Sequence, residues 1–213
     1  MGYSIDAVTT DCYEGTACLI NKLGIKDDKQ LSLVEGQITF AKGSELERNP
    51  IKGNFDFDHY KAIHKYLFDE IYDWAGKIRI VDISKKGTFF AKADEIEQLA
   101  NACFARLKAE NYFRGQEFNE FVSNILDFYC VTNMLHPFRE GNGRTQRIFI
   151  SQLIRFAGYE IDFSSINTDD LMSATIQAAN GVDIYLKEIF ANAILFSITQ
   201  GYMNTGTAKC LCT

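Results

Sequence analysis

Apolar residues recur three or four apart along most of the chain, the pattern of amphipathic helices. The clearest run, Phe118, Phe121, Val122, Ile125, Leu126 and Tyr129, predicts a central helix over 117–135. Pro137 closes it, because proline has no N–H to donate and restricts the residue before it. Ile148, Phe149, Leu153 and Ile154 predict the next helix over 143–157, stopped by Gly158. Upstream, residues 1–12 read as loosely ordered, and Leu31, Val34, Ile38 and Phe40 place a helical stretch within 13–41. Residues 42–57 are rich in turn formers and read as a loop. Tyr60, Ile63, Leu67, Ile71 and Trp74 then predict a helix with Asp58 as N-cap and Gly76 at C′. Asp94 and Glu97 have the spacing of a capping box for a helix running through Glu110. Asn167 or Thr168 caps another, Asn180-Gly181 breaks it, and Asp183–Thr199 makes the last.

The period changes once. Ile78, Ile80 and Ile83 are β-branched, Ser84-Lys85-Lys86-Gly87 is a turn, and Thr88-Phe89-Phe90 is a second extended piece. That predicts one small β-hairpin. A hairpin alone is marginal in water, so this one leans on the helices or awaits a partner strand. The expectation is an all-α bundle of about seven to eight helices with one hairpin. Its core spans about 10–200 of a single domain over 1–213, with a short polar tail at 201–213.

Between the two strongest helices lie twelve residues, His136-Pro-Phe-Arg-Glu-Gly-Asn-Gly-Arg-Thr-Gln-Arg147. Gly141-Asn142-Gly143 opens the second helix, so backbone N–H groups and the positive helix end converge on an anion site that suits phosphate. Arg144 and Arg147 share one face of the first turn. Cations there oppose the helix dipole, which points to a bound anion. Glu140 is a hard oxygen ligand of the kind that holds Mg²⁺ together with substrate phosphates. His136 is the nearby group able to take a proton near neutral pH. A bland connector with solvated arginines accounts for any one of these features, but not for all of them within twelve positions.

The stretch resembles the motif of the Fic (filamentation induced by cAMP) family, His-x-Phe-x-(Asp/Glu)-Gly-Asn-Gly-Arg-x-x-Arg, at every defined position. Tyr13-Glu-Gly-Thr, Asn21-Lys-Leu-Gly-Ile25 and Ile71-Tyr-Asp-Trp-Ala-Gly76 extend the likeness. The resemblance implies a protein adenylyltransferase that moves AMP from ATP to a Ser, Thr or Tyr hydroxyl of a target protein and releases pyrophosphate. His136 is then the catalytic base, Glu140 holds Mg²⁺, and Gly141, Asn142, Gly143, Arg144 and Arg147 bind the nucleotide phosphates. Ile83, Ser84, Lys85, Lys86, Gly87, Thr88 and Phe89 correspond to the flap, which takes the target as an added strand. Asn180 and Tyr185 fall where the nucleoside is bordered, although turn and cap roles explain the Asn180-Gly181 segment equally well. Competing readings are a Doc-like kinase, whose motif has Ala and Lys in place of Gly141 and Gly143, transfer of another nucleotide such as UMP, and a non-enzymatic nucleotide-sensing module.

Many relatives carry an inhibitory Ser/Thr-x-x-x-Glu-Gly/Asn helix. Leu31-Ser-Leu-Val-Glu35-Gly36 supplies the Glu35-Gly36 pair, but the position four before Glu35 is Leu31. Glu35 is therefore either an inhibitory carboxylate or an ordinary polar residue of an amphipathic helix. In the second case the chain is constitutively competent or held by a separate antitoxin; a homodimer is a further candidate partnership.

Composition narrows the setting. With 213 residues and 46% hydrophobic content the chain can bury a sound core. Its net charge of −6 argues against non-specific nucleic-acid binding. No apolar run approaches the roughly 20 residues of a membrane span. The six cysteines show no zinc spacing; Cys103 and Cys130 read as small core residues, and Cys210-Leu-Cys212 lies in the tail. A cytoplasmic, reduced protein is expected, although the fold resembles toxin modules and secreted effectors alike. His59 and His64, five apart on one helix, do not make a metal pair and read as structural or exposed.

Overall fold

Long helices laid across one another account for most of the chain in the computed structural model, which describes residues 4–5, 11–85 and 87–196. The element order is β1 (Ser4–Ile5), α1 (Asp28–Arg48), α2 (Phe57–Phe68), β2 (Ile83–Lys85), β3 (Thr88–Phe89) and α3 (Ile96–Ala109). It continues through α4 (Phe118–Leu135), α5 (Asn142–Phe156), β4 (Tyr159–Ile161), α6 (Thr168–Ala179), α7 (Ile184–Ala193) and β5 (Ile194–Phe196). The fold is all-α in character, with seven α-helices among the described residues and two small sheets.

α4 is the axis. Phe121, Val122, Ile125, Leu126, Phe128, Tyr129 and Leu135 are all buried on it, and α3, α5, α6 and α7 pack around it. α2 and α5 close the other side, where Tyr60, Phe104, Phe138 and Phe149 interlock as an aromatic cluster. One hydrophobic core runs from Cys18 to Ile194. Cys103 and Cys130 pack partly buried against it, and burial pushes their thiols up, to about 12 and about 11.

Several expectations need correction. Residues 42–48 are not loop, because α1 continues through Gly43 and Ser44 to Arg48. Tertiary packing outweighs the poor helix propensity there: a Cβ on Gly43 would touch Ile148 Cδ1 at 3.4 Å. The buried face of α1 is Leu31, Glu35, Thr39 and Leu46, whereas Phe40 is 77% exposed. α2 is capped by Asp56, whose carboxylate accepts the His59 N–H at 2.8 Å, and not by Asp58. It ends at Phe68, so Trp74 lies in the turns that follow; Gly76 closes those turns because a Cβ there would sit 2.8 Å from Lys65 Cβ. The Asp94–Glu97 capping box does not form: α3 begins at Ile96 with no side-chain cap.

The strand content is larger than one hairpin. A hairpin forms, with Ser84 opposite Phe89 and Lys85 opposite Thr88, so Ser84 and Lys85 are strand residues and not the expected turn; Ile78 and Ile80 stay outside the strands and Ile80 is 92% exposed. Within the segment expected to be loose, Ser4–Ile5 pairs antiparallel with β2. The last helix stops at Ala193, and β5 folds back antiparallel on β4 after Gly158. Lys86, residues 197–199 of the expected last helix, and the tail with Cys210 and Cys212 lie outside the described residues. No helix is long and apolar enough to cross a membrane among the described residues.

Candidate active site

The 136–147 loop starts where α4 ends in a left-handed residue. His136 is the C-cap of α4 (φ 41°, ψ 59°), so its ring turns back over the helix end. Its Nδ1 lies 2.9 Å from the Asn133 carbonyl. A carbonyl can only accept, so Nδ1 carries the hydrogen and the lone pair sits on Nε2, the tautomer a general base needs. The ring stacks on Phe90 of the hairpin at 3.7 Å. Burial, with Lys85 and Arg79 adding to it, lowers the imidazole to about 3 against the pull of the Asn133 carbonyl, so His136 is neutral at pH 7.

Two backbone braces fix the loop. Arg79, fully enclosed, donates from Nε to the His136 carbonyl at 2.8 Å, from Nη1 to the Val81 carbonyl at 2.7 Å, and from Nη2 to the Ala91 carbonyl. It clips His136 to the residues that flank both strands of the hairpin. On the other side, His64 accepts the Gly76 N–H on Nδ1 at 2.8 Å, so its Nε2–H donates to the Glu140 carbonyl at 3.0 Å. Its ring lies flat on Phe138 at 3.7 Å. His64 is structural, as the sequence suggested, and His59 is buried rather than exposed.

Gly141 has φ +80°, and a Cβ there would fall 2.2 Å from Phe68 Cζ, so only glycine fits. α5 begins immediately after it, with no capping side chain. The Asn142 side chain does not face a ligand: its Oδ1 accepts the Phe138 N–H at 2.8 Å and its Nδ2 donates to the Phe138 carbonyl at 2.7 Å. That amide braces the loop, and only the backbone of Asn142 remains for an anion.

Arg144 and Arg147 differ sharply. Arg144 pairs with Glu35, donates to Thr39 Oγ1 at 3.1 Å, reaches Glu140 at 3.5 Å and stacks over Phe68 at 4.8 Å. Arg147 lines the pocket that holds His136 and Gly143, and among the described residues no carboxylate pairs with it. Burial lowers its pKa, so the guanidinium is partly desolvated without an anion beside it. Glu140 Oε1 accepts the Gly141 N–H at 2.8 Å.

The pocket holds about 190 Å³, and its lining combines the polar Lys85, His136 and Arg147 with the apolar Leu171, Met172 and Ile176. It adjoins a cavity of about 720 Å³ lined by Phe89, Cys103, Val131 and Ala178, with Phe90, Asn133, Thr175 and Ala179 walling both. Asn180 and Tyr185 line neither: Asn180 ends α6, where its side chain donates to the Ile176 carbonyl, and Tyr185 is exposed. The flap positions divide, with Lys85 and Thr88 at the pocket and Phe89 at the larger cavity. The sequence carried no sign of Arg79 or Thr39, marked His64 as structural without its contact to the loop, and marked Tyr72 only by its place in the Ile71–Gly76 block.

These features define a family. A Fic/DOC family model matches residues 54–154, and the chain belongs to that family. It is 44% identical over 166 residues to the protein adenylyltransferase VbhT of Bartonella schoenbuchensis, covering 78% of this chain and 35% of that protein. The chain therefore spans about a third of that relative's length. It is 37% identical over 171 residues to the probable protein adenylyltransferase y4lH of Sinorhizobium fredii, covering 80% and 88%. The solved structure of the BepC effector of Bartonella tribocorum with bound AMPPNP superposes with a TM-score of 0.83 at 28% identity, covering 88% of this chain and 97% of that one.

Proposed function

We propose that the chain is a protein adenylyltransferase, using ATP to place AMP on a hydroxyl side chain of another protein. The observation that carries this is Arg147: a partly desolvated cation with no carboxylate among the described residues, sharing a pocket with a neutral, correctly tautomerised histidine. Phosphates fit along the uncapped start of α5, between Arg147 and the exposed part of Arg144, and the base fits the adjoining apolar walls. The target hydroxyl gives its proton to His136 Nε2 as its oxygen attacks the α-phosphorus. The bond from that phosphorus to the bridging oxygen breaks, and pyrophosphate leaves. Positioning and charge stabilisation supply most of the acceleration in such transfers.

Glu140 suits Mg²⁺ because it offers one carboxylate beside the phosphate position, and no three-residue metal cluster exists among the described residues. A metal held this way takes most of its other ligands from phosphate and water, and it would neutralise phosphate charge. On the target side, β2 is paired on both edges, by β1 and β3. An added target strand therefore docks on β3, where Phe89 is 70% exposed. A separate antitoxin carboxylate would find its partner in Arg147.

The test is label transfer from ATP carrying α- or γ-³²P to lysate protein, with wild type and His136→Ala. α-Label that falls by about 10²–10⁴ in the variant is expected. Label arriving only from the γ-position, or unchanged transfer by His136→Ala, would sink the assignment.

A further inference from the structure

The Ile71–Gly76 block and the buried polar face of α1 have no part in the chemistry above, yet they meet at Arg144. One oxygen of Glu35 receives the Arg144 Nη2 and the other the Tyr72 hydroxyl. Tyr72 is 1% exposed and stacks on Trp74 at 4.2 Å, so the donor behind Glu35 is itself fixed. Thr39, one turn along α1, takes the other arm of the guanidinium at 3.1 Å. Phe68 supports its face.

We infer that Glu35, seated by Tyr72, is a positioning residue that holds the Arg144 guanidinium at the phosphate site and keeps it off Glu140. This rests on the nucleotide reading of the site. Three observations carry it. Both Glu35 oxygens are committed and its side chain is 8% exposed, so the carboxylate lies behind Arg144 rather than in the path of a ligand. Glu35 does not line the pocket that holds His136, and the cation in that pocket, Arg147, has no carboxylate among the described residues. Finally, Arg144 stands between two acids, tightly on Glu35 and at 3.5 Å from Glu140. Without Glu35 the arginine would close on Glu140 and occupy the oxygen assigned to Mg²⁺. An arginine side chain gives up rotamer freedom when it is held, and a fixed guanidinium has lost it before the phosphate arrives. An inhibitory role makes the opposite prediction: removing the carboxylate would release activity.

The experiment measures Mg²⁺-ATP affinity by calorimetry, and KM and kcat for α-label transfer, on wild type, Glu35→Gln, Tyr72→Phe, Arg144→Ala and the Glu35→Gln/Arg144→Ala pair. Glu35→Gln is expected to weaken ATP and raise KM about tenfold, with kcat changing less. Tyr72→Phe should move the same way by a smaller factor, and the double variant should bind no worse than Arg144→Ala alone, as groups acting through one another are non-additive. Transfer by Glu35→Gln equal to or faster than wild type, or additive losses in the pair, would overturn the inference. If Glu35→Gln fails to fold, Tyr72→Phe keeps the volume and the carboxylate, and its unchanged KM overturns the inference equally. A wild type that binds ATP but labels no protein refutes the adenylyltransferase reading alone, since the affinity cycle still reads Glu35.

Discussion

Gly141→Ala is the smallest change that tests how the anion loop is built. At φ +80° an alanine occupies a left-handed region that costs about 1–2 kcal/mol for a residue with a Cβ. The added carbon would also lie 2.2 Å from Phe68 Cζ and 2.4 Å from Cε2. Phe68 is fully buried under His64 and cannot swing away, so the backbone must move, and overpacking of this kind costs about 1–3 kcal/mol. The two terms together predict a loss of about 2–5 kcal/mol, read as a lower urea midpoint at unchanged slope. ATP affinity should fall as well, because the displaced backbone is the start of α5. Phe68→Val in the same chain removes the steric term and leaves the φ term. The paired variant should therefore recover part of what Gly141→Ala loses relative to Phe68→Val alone. A Gly141→Ala protein with wild-type midpoint and ATP affinity would refute the reasoning, and so would a pair whose losses simply add.

Arg79→Ala removes three charge-assisted hydrogen bonds to backbone carbonyls. Losing the three bonds, at about 1.5–3 kcal/mol each, should lower stability by at least about 4.5 kcal/mol, and label transfer should fall more than ATP affinity because the hairpin and His136 are unclipped; equal loss of both would count against the clip. Glu140→Ala should raise the Mg²⁺ concentration for half-maximal transfer while leaving the melting temperature near wild type, and an unchanged Mg²⁺ dependence would remove it as the metal ligand. Burial lowers His64 and His136 to about 3 from an ordinary 6.5, so the unfolded chain binds protons that the folded chain refuses. Stability is then full above pH 6.5 and falls toward pH 3, by about 1.4 kcal/mol per pH unit for each histidine; a urea midpoint that is flat between pH 7 and 5 would contradict this.

The residues proposed to touch substrate stand out in the sequence because phosphate chemistry would concentrate them. His136, Glu140, Gly141, Arg144 and Arg147 lie within one loop and one helical turn, where spacing alone implies geometry. The contacts that hold them were not legible, and Glu35 carried only its Glu35-Gly36 pair as a sign. Glu35 reaches Arg144 across 109 positions, His64 reaches Glu140 across 76, and Arg79 reaches His136 across 57. No local period marks such contacts. The helix pattern is misleading in a related way on α1: apolar periodicity includes Phe40, which is exposed, and leaves out Glu35 and Thr39, which are buried beside a guanidinium. Likewise β4 and β5 were invisible because three-residue strands carry too little alternation to stand out from helix ends.

The two braces have a joint consequence for the chemistry. His136 is tied by its carbonyl to Arg79 and hence to the hairpin, and Glu140 is tied by its carbonyl to His64 and hence to α2. Asn142 closes the interval between them through Phe138. His136 and Glu140, the proposed base and metal carboxylate, thus sit at opposite ends of a loop whose backbone is fixed at each end and in the middle. Donors arranged before substrate arrives cost no reorganisation during the reaction. The hairpin that would receive the target strand shares its anchor, Arg79, with the histidine that would take the target's proton. On the proposed function, seating the target and aligning the base would be one mechanical event, which is why losing Arg79 should lower transfer more than nucleotide binding.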